Sequence, residues 1–95
     1  MTKPIPITMR VLYVLIQTAG FLKLTRGDIR HLAGLPPDTE ITRPIRDLRK
    51  EWNGKLNVVH ESRRNDASGK IEHVYWLDAN DLRRAESVYE ARMPR

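Results

Sequence analysis

The chain has 95 residues, 40% hydrophobic and 31% charged, and its 17 basic and 12 acidic side chains give a formal net charge of +5. This length accommodates one modest core and excludes a second domain, and the positive charge favours nucleic acid or an anionic membrane surface as partner. The absence of cysteine excludes disulfides and thiolate zinc sites.

Nothing in the sequence predicts a membrane span or an export signal. The longest apolar run, residues 11–16, is too short to cross a bilayer. The prolines at positions 4 and 6 would interrupt the apolar stretch of a secretory signal. We therefore expect a cytoplasmic protein that forms a single domain over residues 1–95.

The first predicted helix covers residues 8–19, with Thr8 as its N-cap and Gly20 after its end. Its apolar side chains recur at helical spacing and spread beyond one face, which indicates a central core helix. An alternative is that its outer side also contacts a second subunit. Residues 21–24 are short and apolar and predict a small strand.

A second helix is predicted to start after Thr25, with Asp28 completing a capping box. Ile29, Leu32 and Ala33 supply its buried face, and Gly34 ends it. The following segment, residues 35–38, contains two prolines and predicts a turn.

The third helix is predicted near residues 41–52, because four large apolar residues recur at spacings of four, three and four. These residues, which we assign to the core, are Ile41, Ile45, Leu48 and Trp52. Pro44 belongs in the first turn of a helix, so the start should fall between residues 39 and 42. Asn53 and Gly54 should end it.

Two segments rich in β-branched and aromatic residues, 56–63 and 71–77, flank a polar connection and predict a β-hairpin. If Tyr75 and Leu77 face inward, strand alternation turns Trp76 outward. A last helix is predicted over residues 81–92. One side of it carries Leu82, Ala85 and Tyr89, which could either form a homodimer interface or pack on the first helix of the same chain.

This order of elements resembles the winged helix-turn-helix family. The resemblance rests on residues 24–34 (LTRGDIRHLAG), on Ile41, Ile45 and Leu48, and on residues 74–77 (VYWL) as a returning wing strand. It implies an α+β fold with a three-helix core and a hairpin wing over residues 8–77, followed by an additional helix over residues 80–95. Small prokaryotic and phage regulators are proteins of this kind.

With the four apolar residues of the third helix turned inward, a helical projection directs a polar face outward. The residues predicted to contact DNA from this helix are Thr39, Thr42, Arg43, Arg46, Asp47 and Lys50. Arginine can hold guanine at two points in the major groove, and Asp47 could accept from cytosine or orient a neighbouring arginine. The alternative is an ordinary solvated helix face with salt bridges.

The resemblance also implies contacts from the wing and the second helix. Arg63, Arg64 and Lys70 bracket the hairpin tip and would lie along the backbone or in the minor groove. On the second helix, Arg26 and Arg30 would face phosphates, and Thr25 could contact a phosphate if it is not simply the N-cap.

No motif of a catalytic or cofactor site is present, so we expect neither an enzyme nor a cofactor. The three histidines are His31, His60 and His73, of which the last two could face each other across the hairpin. Without a third ligand at suitable spacing, a satisfied histidine pair is favoured over a metal site.

The leading hypothesis is therefore a sequence-specific double-stranded DNA-binding regulator of the repressor type, acting as a homodimer. Two alternatives remain open. The same fold could serve as a protein–protein interaction module, or it could bind DNA as an architectural factor in recombination or replication.

Overall fold

The computed structural model describes residues 5–93, and it confirms the predicted α+β class with four helices and one three-stranded antiparallel sheet. The elements are α1 (Ile7–Thr18), β1 (Leu24–Thr25), α2 (Arg26–Leu32), α3 (Thr42–Leu48), β2 (Val58–Arg64), β3 (Ile71–Leu77) and α4 (Leu82–Arg92), with short 3-10 helices at Glu51–Asn53 and Ala79–Asp81. The first four and last two residues of the predicted domain lie outside the described range. None of the helices in that range is long and apolar enough to cross a membrane.

The central core helix is confirmed in α1. Among its fully buried side chains are Val11, Leu12 and Leu15, and the helix contacts α2, α3, α4 and β3. The predicted cap is wrong, because Thr8 lies inside the helix. The chain turns into α1 at Pro6, whose carbonyl accepts the N–H groups of Met9 and Arg10 at 3.0 and 3.1 Å.

The predicted strand at residues 21–24 is displaced. The N–H groups of Phe21 and Leu22 both donate to the carbonyl of Thr18, which keeps these residues in the turn that ends α1. Phe21 is 85% exposed, so its apolar character does not place it in the core. Only Leu24 and Thr25 form the strand, and they pair with Tyr75 and Val74 of β3.

The capping box at the start of α2 is confirmed in both directions. The Asp28 N–H donates to Thr25 Oγ1, and the Thr25 N–H donates to Asp28 Oδ2, each at 3.1 Å. At the other end, the N–H of Leu35 donates to the carbonyl of Arg30 across Gly34. This local hydrogen bonding fixes both ends of a helix of only seven residues. The predicted buried face is correct for Ile29 but wrong for Leu32, which is 54% exposed.

The sheet has the order β1-β3-β2, so the hairpin strand β3 lies in the centre. The predicted hairpin is confirmed, although β2 begins at Val58 rather than at residue 56. Tyr75 and Leu77 are buried in the core, as strand alternation requires. Trp76 lies half-buried on the opposite face, where Lys23 Nζ is 4.5 Å from the centroid of its ring.

The apolar side of α4 packs on its own chain. Ala85 is completely buried, and Leu82 and Tyr89 pack against the same core. The rings of Tyr89 and Tyr13 of α1 are 5.6 Å apart. Of the two expectations for this helix, the structure shows the packing on α1, so Ala85 is not accessible to a second subunit while α4 stays docked.

Candidate nucleic-acid interface

Helix α3 begins at Thr42, within the predicted interval, and Pro44 lies in its first turn. Glu40 caps the start, because its carboxylate accepts the Thr42 N–H at 2.6 Å. That hydrogen bond holds the pKa of Glu40 below its ordinary value, and the charge of Arg46 adds a smaller effect in the same direction. On the inner side, Ile45 and Leu48 are buried, which fixes the rotation of the helix about its axis.

The predicted continuation of this helix to residue 52 is wrong. Helix α3 ends at Leu48, Lys50 has an extended backbone, and a separate 3-10 helix follows. Trp52 is therefore 62% exposed instead of buried, and its carbonyl accepts a hydrogen bond from the Arg92 guanidinium. The spacing of Trp52 from Ile45 and Leu48 fits a longer helix, but the chain leaves the helical conformation before it reaches Trp52.

The turn after α3 is built around buried Asn53. The Asn53 Nδ2 group donates to the carbonyl of Asp47 at 3.0 Å, and the side chain is only 4% exposed. The N–H groups of Lys55 and Leu56 then donate back to the carbonyls of Lys50 and Leu48. These bonds reverse the chain, so that Leu56 enters the core and β2 can begin.

The outer side of α3 carries two exposed arginines, Arg43 and Arg46, which are three residues apart and so lie one above the other on one helix face. Neither forms an ion pair with another residue in the range 5–93. Asp47 is half-buried and does not pair with either of them. The sequence left open the alternative of an ordinary solvated helix face with salt bridges. Among the described residues, no side chain of α3 forms a salt bridge.

The other predicted residues near α3 differ in exposure. Lys50 is exposed, but it lies beyond the helix end, so it is not a further turn of the same surface. Thr39 and Thr42 are half-buried. Within α3, Arg43 and Arg46 are therefore the exposed members of the predicted set.

The residues of α2 that were predicted to contact DNA differ in their roles within the fold. Thr25 is the N-cap, and Arg30 is half-buried with its Nε donating to the carbonyl of Thr39 at 2.6 Å. Arg30 thus connects α2 to the segment that leads into α3, and its guanidinium is partly engaged within the fold. Arg26 is exposed and has no ion-pair partner among the described side chains.

Arg49 connects the end of α3 to the base of the hairpin. Its Nε and Nη2 both donate to the carbonyl of Val58, at 3.0 and 2.7 Å. This bidentate contact fixes where β2 starts relative to α3. The sequence does not predict this contact, because no local pattern shows which carbonyl lies within reach of the Arg49 side chain.

The hairpin tip is ordered by its own side chains. Arg63 Nε lies 3.2 Å from Glu72 Oε2, and Asn65 Nδ2 donates to Glu72 Oε1 at 2.7 Å. The hydrogen bond from Asn65 and then the contact with Arg63 lower the pKa of Glu72. Arg63 is consequently paired within the hairpin, whereas Arg64 and Lys70 are exposed at its tip without an ion pair in the part of the chain that the structure describes.

The two hairpin histidines do face each other, with His60 Nε2 2.9 Å from His73 Nδ1. In residues 5–93, no group of three or more histidine, aspartate or glutamate side chains converges in a way that could hold a metal ion. The two rings form a hydrogen-bonded histidine pair across the strands.

Comparison of the chain with family models, with curated proteins and with solved structures found no match in any of the three. The assignment of a function therefore depends on the geometry of the candidate interface. The relevant features are the exposed arginines of α3, the contact that joins α3 to the hairpin, and the basic hairpin tip.

Proposed function

We propose that this protein is a winged helix-turn-helix regulator that binds double-stranded DNA and recognises its sequence with α3. The order of α1, β1, α2, α3 and a two-stranded hairpin supports this proposal, and so does the pairing of β1 with the returning strand β3. In this proposal the β2–β3 hairpin is the wing. Occupation of an operator would then repress transcription of the neighbouring gene.

The observation that carries the proposal is the pair Arg43 and Arg46. Both are exposed, both lack an ion-pair partner among residues 5–93, and both project from a helix whose opposite side is fixed in the core by Ile45 and Leu48. A guanidinium held in this way can donate to guanine O6 and N7 without first leaving a carboxylate. These two residues are assigned to base recognition in the major groove.

The wing contributes the second contact. Arg64 and Lys70 are exposed at the hairpin tip, and Arg49 fixes the base of the same hairpin to the end of α3. Because the two surfaces are joined by this contact, α3 and the wing can engage one duplex as a single unit. Arg64 and Lys70 are assigned to the sugar-phosphate backbone or a narrow minor groove.

The two groups of contacts should respond differently to substitution. Replacing Arg43 or Arg46 with alanine should weaken specific binding by about 1–3 kcal/mol and relax base preference. Replacing Arg64 should weaken binding to all sequences similarly and reduce the salt dependence by about one phosphate contact. Arg83→Ala on α4 is the matched control, because it removes the same charge from an exposed position outside the proposed interface.

The test is selection from a random duplex library, followed by titration of a selected duplex at two salt concentrations. Enrichment of one motif, with weaker binding at the higher salt, supports the proposal. If Arg43→Ala and Arg46→Ala bind the selected duplex as well as Arg83→Ala does, α3 is not the reading helix. Salt-dependent binding without enrichment would favour an architectural role, and no duplex binding would favour a protein partner.

A further inference from the structure

A second chemical feature lies on the paired strands of the hairpin rather than on α3. His60 Nε2 and His73 Nδ1 point at each other at 2.9 Å from neighbouring antiparallel strands. Their rings are 5.0 Å apart, between centroids, and Ser62 Oγ lies 3.2 Å from the same His73 nitrogen. His73 Nδ1 thus has both the His60 nitrogen and the Ser62 hydroxyl within hydrogen-bond distance.

The strands and a buried aromatic ring hold this pair in position. His60 is paired in register with Tyr75, and the two rings stack at 4.9 Å with an interplanar angle of 16°. Tyr75 is itself buried, so it gives the His60 ring a fixed support. His73 is paired in register with Ser62, two residues along the ladder. The two nitrogens are therefore preorganised rather than brought together by chance on long flexible side chains.

We propose that His60 and His73 form a two-histidine chelate for a divalent ion of the zinc type, the class of metal that prefers imidazole ligands. A zinc ion binds histidine nitrogen at about 2.0–2.1 Å, so two ligands at the tetrahedral angle stand roughly 3.3–3.4 Å apart. From 2.9 Å the two nitrogens would move apart by a few tenths of an ångström, and both rings would turn so that their lone pairs point at the metal rather than at each other. Water or an oxygen from a bound partner would complete the coordination.

The protons balance without an acid or base. Each neutral imidazole carries one N–H. In the free protein one of the two facing nitrogens carries its ring's N–H and donates a hydrogen bond to the other nitrogen. When a metal binds, both facing nitrogens offer lone pairs, which requires that one ring moves its proton to its other nitrogen. Both rings stay neutral, and no proton is lost from the pair.

The site is open to ions and has few competitors. His60 is exposed, His73 is half-buried, and the chain has no cysteine. The third histidine, His31, is exposed on α2 and serves as the matched control. A site with two protein ligands should bind zinc much more weakly than the four-ligand structural sites of zinc fingers, with a single equivalent per chain.

The experiment is calorimetric titration of the full chain with zinc chloride in the absence of DNA. The wild type and His31→Gln should bind one equivalent with the same affinity. His60→Gln and His73→Gln should each bind at least about tenfold more weakly, because even the loss of an outer-sphere partner of a metal site costs about 10–100-fold. Equal weakening by His31→Gln, or unchanged binding in either hairpin variant, overturns the proposal.

A second measurement needs no variant. The wild-type chain loaded with one equivalent of copper(II) should give an electron paramagnetic resonance spectrum with two coordinated imidazole nitrogens. A spectrum with none or one overturns the proposal, even if a hairpin variant fails to fold.

A bound dication would also add positive charge to the proposed wing, close to Arg64. This consequence rests on the proposed function, whereas the titrations use no DNA. Failure of metal binding and failure of DNA binding can therefore be told apart.

Discussion

The turn between the 3-10 helix and β2 offers a sharp test of how α4 is docked. Gly54 has a φ of +77°, and a Cβ atom added there would lie 2.9 Å from Val88 Cγ2 and 3.3 Å from Arg84 Cγ. Arg84 can move its flexible side chain, but Val88 is a short β-branched residue on the packed helix. We therefore expect Gly54→Ala to push α4 away from the turn or to strain the turn itself.

The size of the effect follows from two contributions. The left-handed backbone conformation costs an L-residue about 1–2 kcal/mol. Crowding of the new methyl group against Val88 adds about 1–3 kcal/mol, as for other additions to a well-packed interior. The free energy of unfolding should thus fall by about 2–5 kcal/mol, a large part of the stability of a domain of this size.

Gly34→Ala separates the two contributions. Gly34 has a similar φ of +69°, but nothing lies within 4 Å of its added Cβ. This variant should show only the conformational cost of about 1–2 kcal/mol. Urea unfolding monitored by tryptophan fluorescence measures both variants. If Gly54→Ala is no more destabilising than Gly34→Ala, Val88 does not pack on the turn and the docking of α4 is wrong.

Three further predictions concern the free energy of unfolding in urea. Thr25→Ala should cost about 0.5–2 kcal/mol because it removes the capping side chain of α2, whereas Thr8→Ala, inside α1, should change stability by less than about 0.5 kcal/mol; equal costs would contradict the assigned caps. Asn53→Ala should cost about 0.5–1.5 kcal/mol because the turn loses the hydrogen bond from the Asn53 amide, while the Asp47 carbonyl keeps the Lys50 N–H as a second donor, and a cost no larger than that of exposed Asn80→Ala would show that the turn does not need this bond. The pKa of Asp81 is lowered, first by the hydrogen bond from the Asn57 N–H and then by Arg84. The Asp81 carboxylate therefore contributes fully to the free energy of unfolding above its pKa in the unfolded chain, about 4, and this contribution is lost as pH falls through its lower native pKa. The difference in the free energy of unfolding between the wild type and Asp81→Asn should shrink between neutral pH and about pH 3. A difference that stays constant would refute this.

The features that sequence reasoning predicted correctly depend on residues close together in the chain. The capping box needs only Thr25 and Asp28, three residues apart, and both of its hydrogen bonds are present. The position of Pro44 limits the start of α3 for a reason that is also local, because within a helix its ring would clash with the carbonyl four residues earlier. Alternation along β3 likewise gave the correct sides for Tyr75, Trp76 and Leu77.

Most of the missed features depend on contacts between residues six to nine positions apart in the chain, and the cap of α1 is the exception. Trp52 continues an apolar stripe, but the buried amide of Asn53 and the return of Leu56 to the core end α3 four residues earlier. Thr8 is a good capping residue, yet the preceding Pro6 starts the helix before it. The structural roles of Arg30 and Arg49 depend on carbonyls nine residues away, which no periodicity identifies.

Half of the twelve acidic side chains form contacts away from the guanidinium groups of Arg43 and Arg46. Six acidic side chains in the described range are engaged at helix starts, in loop contacts or on the hairpin: Asp28, Glu40, Glu61, Glu72, Asp78 and Asp81. Arg63 and Lys23 are neutralised there as well. The excess positive charge of the chain is therefore not spread evenly. Arg43 and Arg46 are exposed on a helix fixed by the core and form no ion pair in the described range. Under the proposed function, a phosphate or a guanine edge would therefore approach them without displacing an internal salt bridge.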